Sequence, residues 1–295
     1  MSHGKTVLGA FRRSSSAVSI VIIVGFVTMI ISTAYHTLAF TPAEFIEKPE
    51  AQEYKKAVES LPVDKWTLTQ YYWSHNLKVA GVYALGTPSY LGFNSEEANS
   101  YRIGMSLTYI YCRYGSETML AFSAMVFVHG LLELTGIYLI AAVSLRLAWN
   151  FWKGLGGLVR ITDREEKHRV WKLTKREKRE ILKHRRTIGL LLSDFAVLFA
   201  VGVFFIFLAA PIEAYVSPAA GYGFIFSPVA AAVFLVEVGL IYALIVALSF
   251  SRMRGDLEYV WNEARLAFRR KWRPAQLSLL IFVIFFAVML LRIML

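Results

Sequence analysis

The sequence predicts an all-α, polytopic integral membrane protein. About five spans and one re-entrant or interfacial segment form a single membrane domain over residues 1–295. Three observations carry this expectation. Hydrophobic residues make up 56% of the chain, and the mean hydropathy is +0.49. Those residues fall in long blocks, several of which reach the roughly 20 apolar residues that a helix needs to cross a bilayer. The formal net charge of +11 is concentrated at the N-terminus and in two stretches between blocks, as expected of cytoplasmic loops. A nucleic-acid surface would more naturally interleave aromatic and basic side chains on a soluble domain. The lipid bilayer is therefore the expected partner, and nucleic acid is not. The single cysteine, Cys112, allows neither an intramolecular disulfide nor a thiolate metal cluster.

The first block runs from residue 17 to about residue 40. It is longer than the apolar core of a cleaved signal, about 7–15 residues, and no small-x-small site follows it. It is read as a retained first span. Residues 41–65 carry a slight acidic excess and are expected to form an extracytoplasmic helix. Thr41, Pro42 and Glu44 supply its start: a capping hydroxyl, a proline in the first turn and a glutamate three residues after the cap. The apolar stretch 77–93 is short and broken by Gly86, Pro88 and Gly92, which suits a re-entrant or interfacial element better than a span. Asn94 and Glu97 read as the cap of a helix from about residue 96 to residue 114. Whether residues 77–127 cross the membrane is left open by the sequence.

The second span is expected from about residue 119 to residue 149. Residues 153–186 then form a basic cytoplasmic helical loop with thirteen basic and five acidic side chains. Thr162 with Glu165 and Thr174 with Glu177 read as capping boxes of two short helices. A third span ends at Pro218, and a fourth runs from about residue 228 to residue 250. Residues 251–274 are expected to be an amphipathic helix on the cytoplasmic surface. A fifth span reaches the C-terminus. The charge distribution predicts a multi-pass protein of the cell membrane, with a cytoplasmic N-terminus and an extracytoplasmic C-terminus.

Ionisable groups inside spans are costly, about 2.5–3.5 kcal/mol each at the helix centre, and so tend to face the protein interior. His129 and Glu133 lie at i and i+4 on one helix face of the second span; Asp194 lies toward the inner part of the third, Glu213 at its outer end, and Glu237 near the middle of the fourth. They are read as helix-locking groups before they are read as an ion path, because no repeated acid pattern marks a relay. His129 has no second histidine at ligand spacing, so no metal and no cofactor is expected. Gly239, Ala243 and Ala247 recur at every fourth position of the fourth span, the small-xxx-small pattern of close helix contacts within or between subunits. GxxxxGK[ST], HExxH and GxSxG motifs are absent from the sequence, and no catalytic residue is named.

Two motifs are more specific than composition. HGLLELTGIYLIAAVSLRL covers residues 129–147, and PIEAYVSP covers residues 211–218. Together they resemble the stage II sporulation protein M family, whose signature pairs an HG-x-x-E helix with a later IEA(F/Y)-x-(S/T)P helix end. The matching positions are His129, Gly130 and Glu133, then Ile212, Glu213, Ala214, Tyr215, Ser217 and Pro218. SHNLKVAGVYALGTPSYLGF, residues 74–93, is similar to the family's glycine-broken upstream segment, so the resemblance covers roughly residues 74–250. It implies a membrane component of a complex with peptidoglycan-degrading enzymes, not the hydrolase itself. Relatives, archaeal ones included, also occur where no sporulation takes place.

The expected function is a non-enzymatic membrane scaffold or complex component. It is expected to be a homodimer or larger homo-oligomer, with protein partners on either membrane face. The alternative is a channel or transporter using Glu133, Asp194 and Glu237. An intramembrane enzyme would need a second catalytic group opposite His129 and Glu133, and the sequence names none.

Overall fold

The structure is a computed structural model that describes residues 6–85, 90–168, 175–267, 276 and 278–284. Among these residues every regular element is helical: α1 (Val7–Ala39), α2 (Pro42–Ile46), α3 (Pro49–Glu59), α4 (Lys65–Leu85), α5 (Leu91–Tyr114), α6 (Ser116–His168), α7 (Lys175–Pro211), a π-helical turn (Ile212–Val216), α8 (Ser217–Phe226) and α9 (Pro228–Ala267). Four helical stretches are long and apolar enough to span a membrane: Val7–Ala39, Ser116–Lys153, Ile188–Phe226 and Pro228–Asn262. They correspond to the first four spans expected from sequence. Most of the expected fifth span lies outside the described residues.

α6 is the central post, packed against α1, α4, α5, α7, α8 and α9. Every residue from 137 to 143 is at most 3% exposed, so the helix is surrounded on all sides at that level. What lets α7 come so close is a pair of glycines. A Cβ on Gly136 would lie 2.5 Å from the Gly202 carbonyl oxygen, and one on Gly202 would lie 2.7 Å from the Gly136 oxygen. Backbones that touch in this way gain dispersion contacts that larger side chains forbid. Phe26, Phe127, Tyr138 and Tyr242 fill the adjoining space between α1, α6 and α9, with ring centroids 5.1–6.4 Å apart.

The stretch that the sequence left hardest to place is a helical hairpin. α4 descends from the α2–α3 end of the bundle, where the Trp73 indole donates to the Phe207 carbonyl at 2.8 Å. Near its other end the Tyr83 carbonyl accepts from the Ser144 hydroxyl at 3.0 Å. α5 returns from Tyr90, buried beside Ser278, to Tyr109, whose ring meets Tyr54 of α3 at 5.3 Å. Twenty-one helical residues reach about 32 Å, so the hairpin traverses most of the bundle's depth. Its tip, residues 86–89, lies outside the described residues.

Several boundaries differ from expectation. The 41–65 segment is two helices, α2 and α3. The capping box at Thr41 is present as expected. α5 begins at Leu91 after Tyr90 in the left-handed region at φ 60°, so Asn94 and Glu97 fall inside the helix rather than capping it. The 153–186 loop largely extends the spans: α6 runs on to His168 and α7 starts at Lys175. Thr162 is therefore mid-helix, not a cap, while Thr174 lies outside the described residues. Residues 251–267 continue α9 without a break, where a separate surface helix was expected. At Asn94 and Thr162 the expected caps are replaced by continuous helix along a longer element.

Candidate metal centre at the floor of a cavity

Two helix faces build the site. On α6, His129 and Glu133 are one turn apart. Opposite them, Glu213 and Ser217 are also four residues apart, but they sit on the π turn. That turn has a local cause. Pro218 has no N–H to donate to the carbonyl four residues back, and its ring crowds that carbonyl. The ladder shifts to i→i−5, with the Ser217 N–H donating to the Ile212 carbonyl. Such π turns recur at functional sites because they re-aim side chains. Here Glu213 and Ser217 both turn toward His129.

The His129 ring is 7% exposed. Its Nδ1 lies 2.9 Å from the Ser217 hydroxyl. Its Nε2 lies 3.8 Å from Glu133 Oε2 and 3.6 Å from Glu213 Oε1. These two separations exceed a hydrogen bond, so the three groups face one another across a small gap. One donor atom from each lies within 4.8 Å of the other two. Tyr72 of α4 and Glu213 line the same cavity. Glu213 Oε2 is buried without a hydrogen-bond partner, as is the Asn76 side-chain nitrogen one helical turn beyond Tyr72.

This cluster lies at the bottom of a cavity of about 980 Å³. The walls come from α3, α4, α5, α6 and the π turn. Tyr54 and Arg113 are at the α2–α3 end, and Leu134 and Ile137 form the floor. Tyr72 and Asn76 are the site residues that the sequence did not single out. Their only signal was an i, i+4 pair of polar side chains in YYWSHN.

The other intramembrane groups go elsewhere. Asp194, 2% exposed, is held by two arginines at the opposite end of the bundle. Arg13 Nε donates to Oδ2 at 2.8 Å and Arg13 Nη2 to Oδ1, while Arg146 Nη1 donates to Oδ2 at 2.8 Å. Glu237 is exposed on the outer face of α9, and so are Gly239, Ala243 and Ala247. A Cβ on Gly239 would meet nothing within 4 Å. Among the described residues that stripe makes no close helix contact. Close backbone contacts fall at Gly136 with Gly202, and at Gly104 against Met29. Tyr215 is 45% exposed, with the Lys65 ammonium 5.4 Å above its ring. Pro218 is exposed and acts through the turn, and Gly130 lines the cavity.

Fold and site together define an all-α membrane protein that presents a largely buried His–Glu–Glu cluster to a cavity. A family model described as Stage II sporulation protein M matches residues 18–218. The chain therefore belongs to the stage II sporulation protein M family. The match takes in α1 to α3, which the sequence motifs had not reached, and it ends at Pro218. No curated protein and no solved structure matches the chain.

Proposed function

We propose that the protein is a non-conducting membrane component of a complex, working through the cavity above His129, Glu133 and Glu213. The observation that carries this reading is the seven-residue plug from Ile137 to Val143, none of it more than 3% exposed. It separates the cavity floor from Asp194. Glu133, Asp194 and Glu237, on which the channel reading depends, therefore stand on three separate surfaces: cavity, opposite end and outer face. A conducting path needs polar groups in line through the bilayer. A cavity closed at its floor suits a bound group or a partner's segment.

The test has two arms. Proteoliposomes carrying the purified chain should pass ions no faster than protein-free liposomes. A photo-reactive side chain at Ser106, a cavity position, should give a discrete cross-linked adduct in cells. Flux that disappears in Glu133→Gln would refute the reading, and so would the absence of any adduct.

A second reading is favoured by one observation. An intramembrane hydrolase needs a group opposite His129 and Glu133, and Glu213 with Tyr72 occupies that position. Turnover of a membrane or cell-wall substrate by the pure protein, lost in Glu213→Gln, would select it over the component reading.

A further inference from the structure

We propose that His129 Nε2, Glu133 and Glu213 form a site for one divalent transition-metal ion of the zinc class. The inference rests on the cavity being the working part of the protein, and it names what the cavity floor holds.

Geometry is the first argument. A tetrahedral ion with bonds of about 2.0–2.2 Å to nitrogen and oxygen sets its donors roughly 3.3–3.6 Å apart. Two edges here are 3.6 and 3.8 Å, and the donor atoms of all three residues lie within 4.8 Å of one another, so closing the site takes shifts of at most about 1 Å, within reach of side-chain rotation. No bond between the donors has to break, because neither edge is a hydrogen bond.

The second argument is electrostatic. Two carboxylates and an imidazole face one another in a largely buried position, the carboxylates 17–18% exposed to the cavity, and ionised carboxylates at this range repel. One dication with two carboxylates and a neutral imidazole is electroneutral. It therefore removes the repulsion and lowers the cost of burying charge.

Orientation is the third. Metal-bound histidines characteristically hand their other ring nitrogen to a hydrogen-bond partner, which fixes the tautomer. The Ser217 hydroxyl, 2.9 Å from Nδ1, can accept the Nδ1 proton, and the ring then turns Nε2 to the carboxylates. The π turn places Ser217 and Glu213 on one side together, so the same backbone irregularity supplies both a ligand and the group that orients another ligand.

Two buried polar atoms are left over. Glu213 Oε2 has no partner; it belongs to the carboxylate whose other oxygen, Oε1, faces His129 Nε2, so a cation at the site would compensate it. The Asn76 nitrogen, on a side chain 4% exposed, also has none, and it lines the same cavity. It offers a donor to an acceptor atom bound beside the ion. Three protein ligands and an open side are the arrangement of ion sites that keep a position free for water or an exogenous ligand. The nitrogen and carboxylate donors suit zinc, manganese or iron better than a thiophilic ion.

The experiment uses the full chain in lipid nanodiscs, stripped with chelator and titrated with zinc chloride alone, then with cobalt chloride for its visible spectrum. About one ion per chain is expected, taken up with proton release if the ligands begin protonated. Ser217→Ala should weaken binding about 10–100-fold, the usual effect of losing a group that orients a ligand. Glu213→Gln and His129→Ala should weaken it further and abolish the tetrahedral cobalt bands. Glu237→Gln, on the outer face, should bind as the unaltered protein does. Glu213→Gln is nearly isosteric, and its elution as a monodisperse particle certifies folding if His129→Ala fails. The proposal is overturned if the stripped protein takes up no ion, or if Glu213→Gln binds as tightly as Glu237→Gln. Either result leaves the Ser106 cross-link, and with it the component reading, standing separately.

Discussion

Replacing Gly136 by alanine adds one methyl group at the point where α6 and α7 touch. The new Cβ would sit 2.5 Å from the Gly202 carbonyl oxygen, 3.0 Å from Ile206 Cγ1 and 3.3 Å from Phe205 Cβ. A carbon and a carbonyl oxygen rest at about 3.3 Å, so the helices must part locally by roughly 0.8 Å. Neither obstacle at the short distance is the end of a flexible chain. One is backbone, and the other is a side chain that is itself fully buried. Overpacking of this kind costs about 1–3 kcal/mol. It is partly offset by the gain of up to about 1 kcal/mol that alanine brings to a helix over glycine. A net loss of about 1–2 kcal/mol should lower the midpoint of thermal unfolding in nanodiscs by several degrees. Gly239→Ala is the control, since it meets nothing within 4 Å and should leave the midpoint unchanged or slightly raised. Gly136 is also less than one turn from Glu133, so parting α6 from α7 pulls His129 and Glu133 away from Glu213. Zinc affinity should therefore fall in Gly136→Ala and not in Gly239→Ala. Equal midpoints for the two variants would refute the account of glycine-mediated packing.

Asp194→Asn leaves Arg13 and Arg146 without their shared carboxylate and should cost about 3 kcal/mol, the lower end for breaking a largely buried pair; unfolding would show the loss, while zinc binding at the far end stays intact. Glu44 accepts from the Thr41 backbone N–H and then from its hydroxyl, which holds its carboxyl below the usual glutamate value. A depressed carboxylate stabilises the folded state above its unfolded pKa, and that contribution is lost as pH falls through its folded value. Amide exchange in α2 should therefore accelerate on acidification below the ordinary glutamate range; Glu44→Gln should remove that dependence, and Thr41→Ala, which keeps the backbone N–H donor, should remove only the hydroxyl's smaller share. The positive-inside reading predicts that Glu59→Cys, in a Cys112→Ser background, reacts with a membrane-impermeant maleimide added outside cells, and that Arg254→Cys does not; the reverse pattern would invert the topology.

The sequence was sufficient for the solvent and the fold class. Long apolar blocks must be helices in lipid, because no water is present there to satisfy the backbone. The capping box at Thr41 was equally legible, since it depends on neighbours three residues apart. The caps expected at Asn94 and Thr162 failed for the complementary reason: both residues lie within longer helices, whose extent is not set by neighbours three residues apart. The HG-x-x-E and IEA-Y-x-SP motifs identified four of the cluster's members by chemistry. His129 and Glu133 could be placed on one face by spacing alone, and no spacing rule brings Glu213 to them across the 79 residues between Glu133 and Glu213. That meeting needed the π turn forced by Pro218 and the glycine contact that draws α7 against α6. The small-residue stripe on α9 shows the converse. Its pattern is plain in the sequence, yet among the described residues the glycines closest to another helix's backbone are Gly136, Gly202 and Gly104, which share no local period because they lie on different helices. Local periodicity determined which faces exist. Only the tertiary structure decided which faces meet, because helix pairing in lipid depends on shape complementarity between segments distant in the chain.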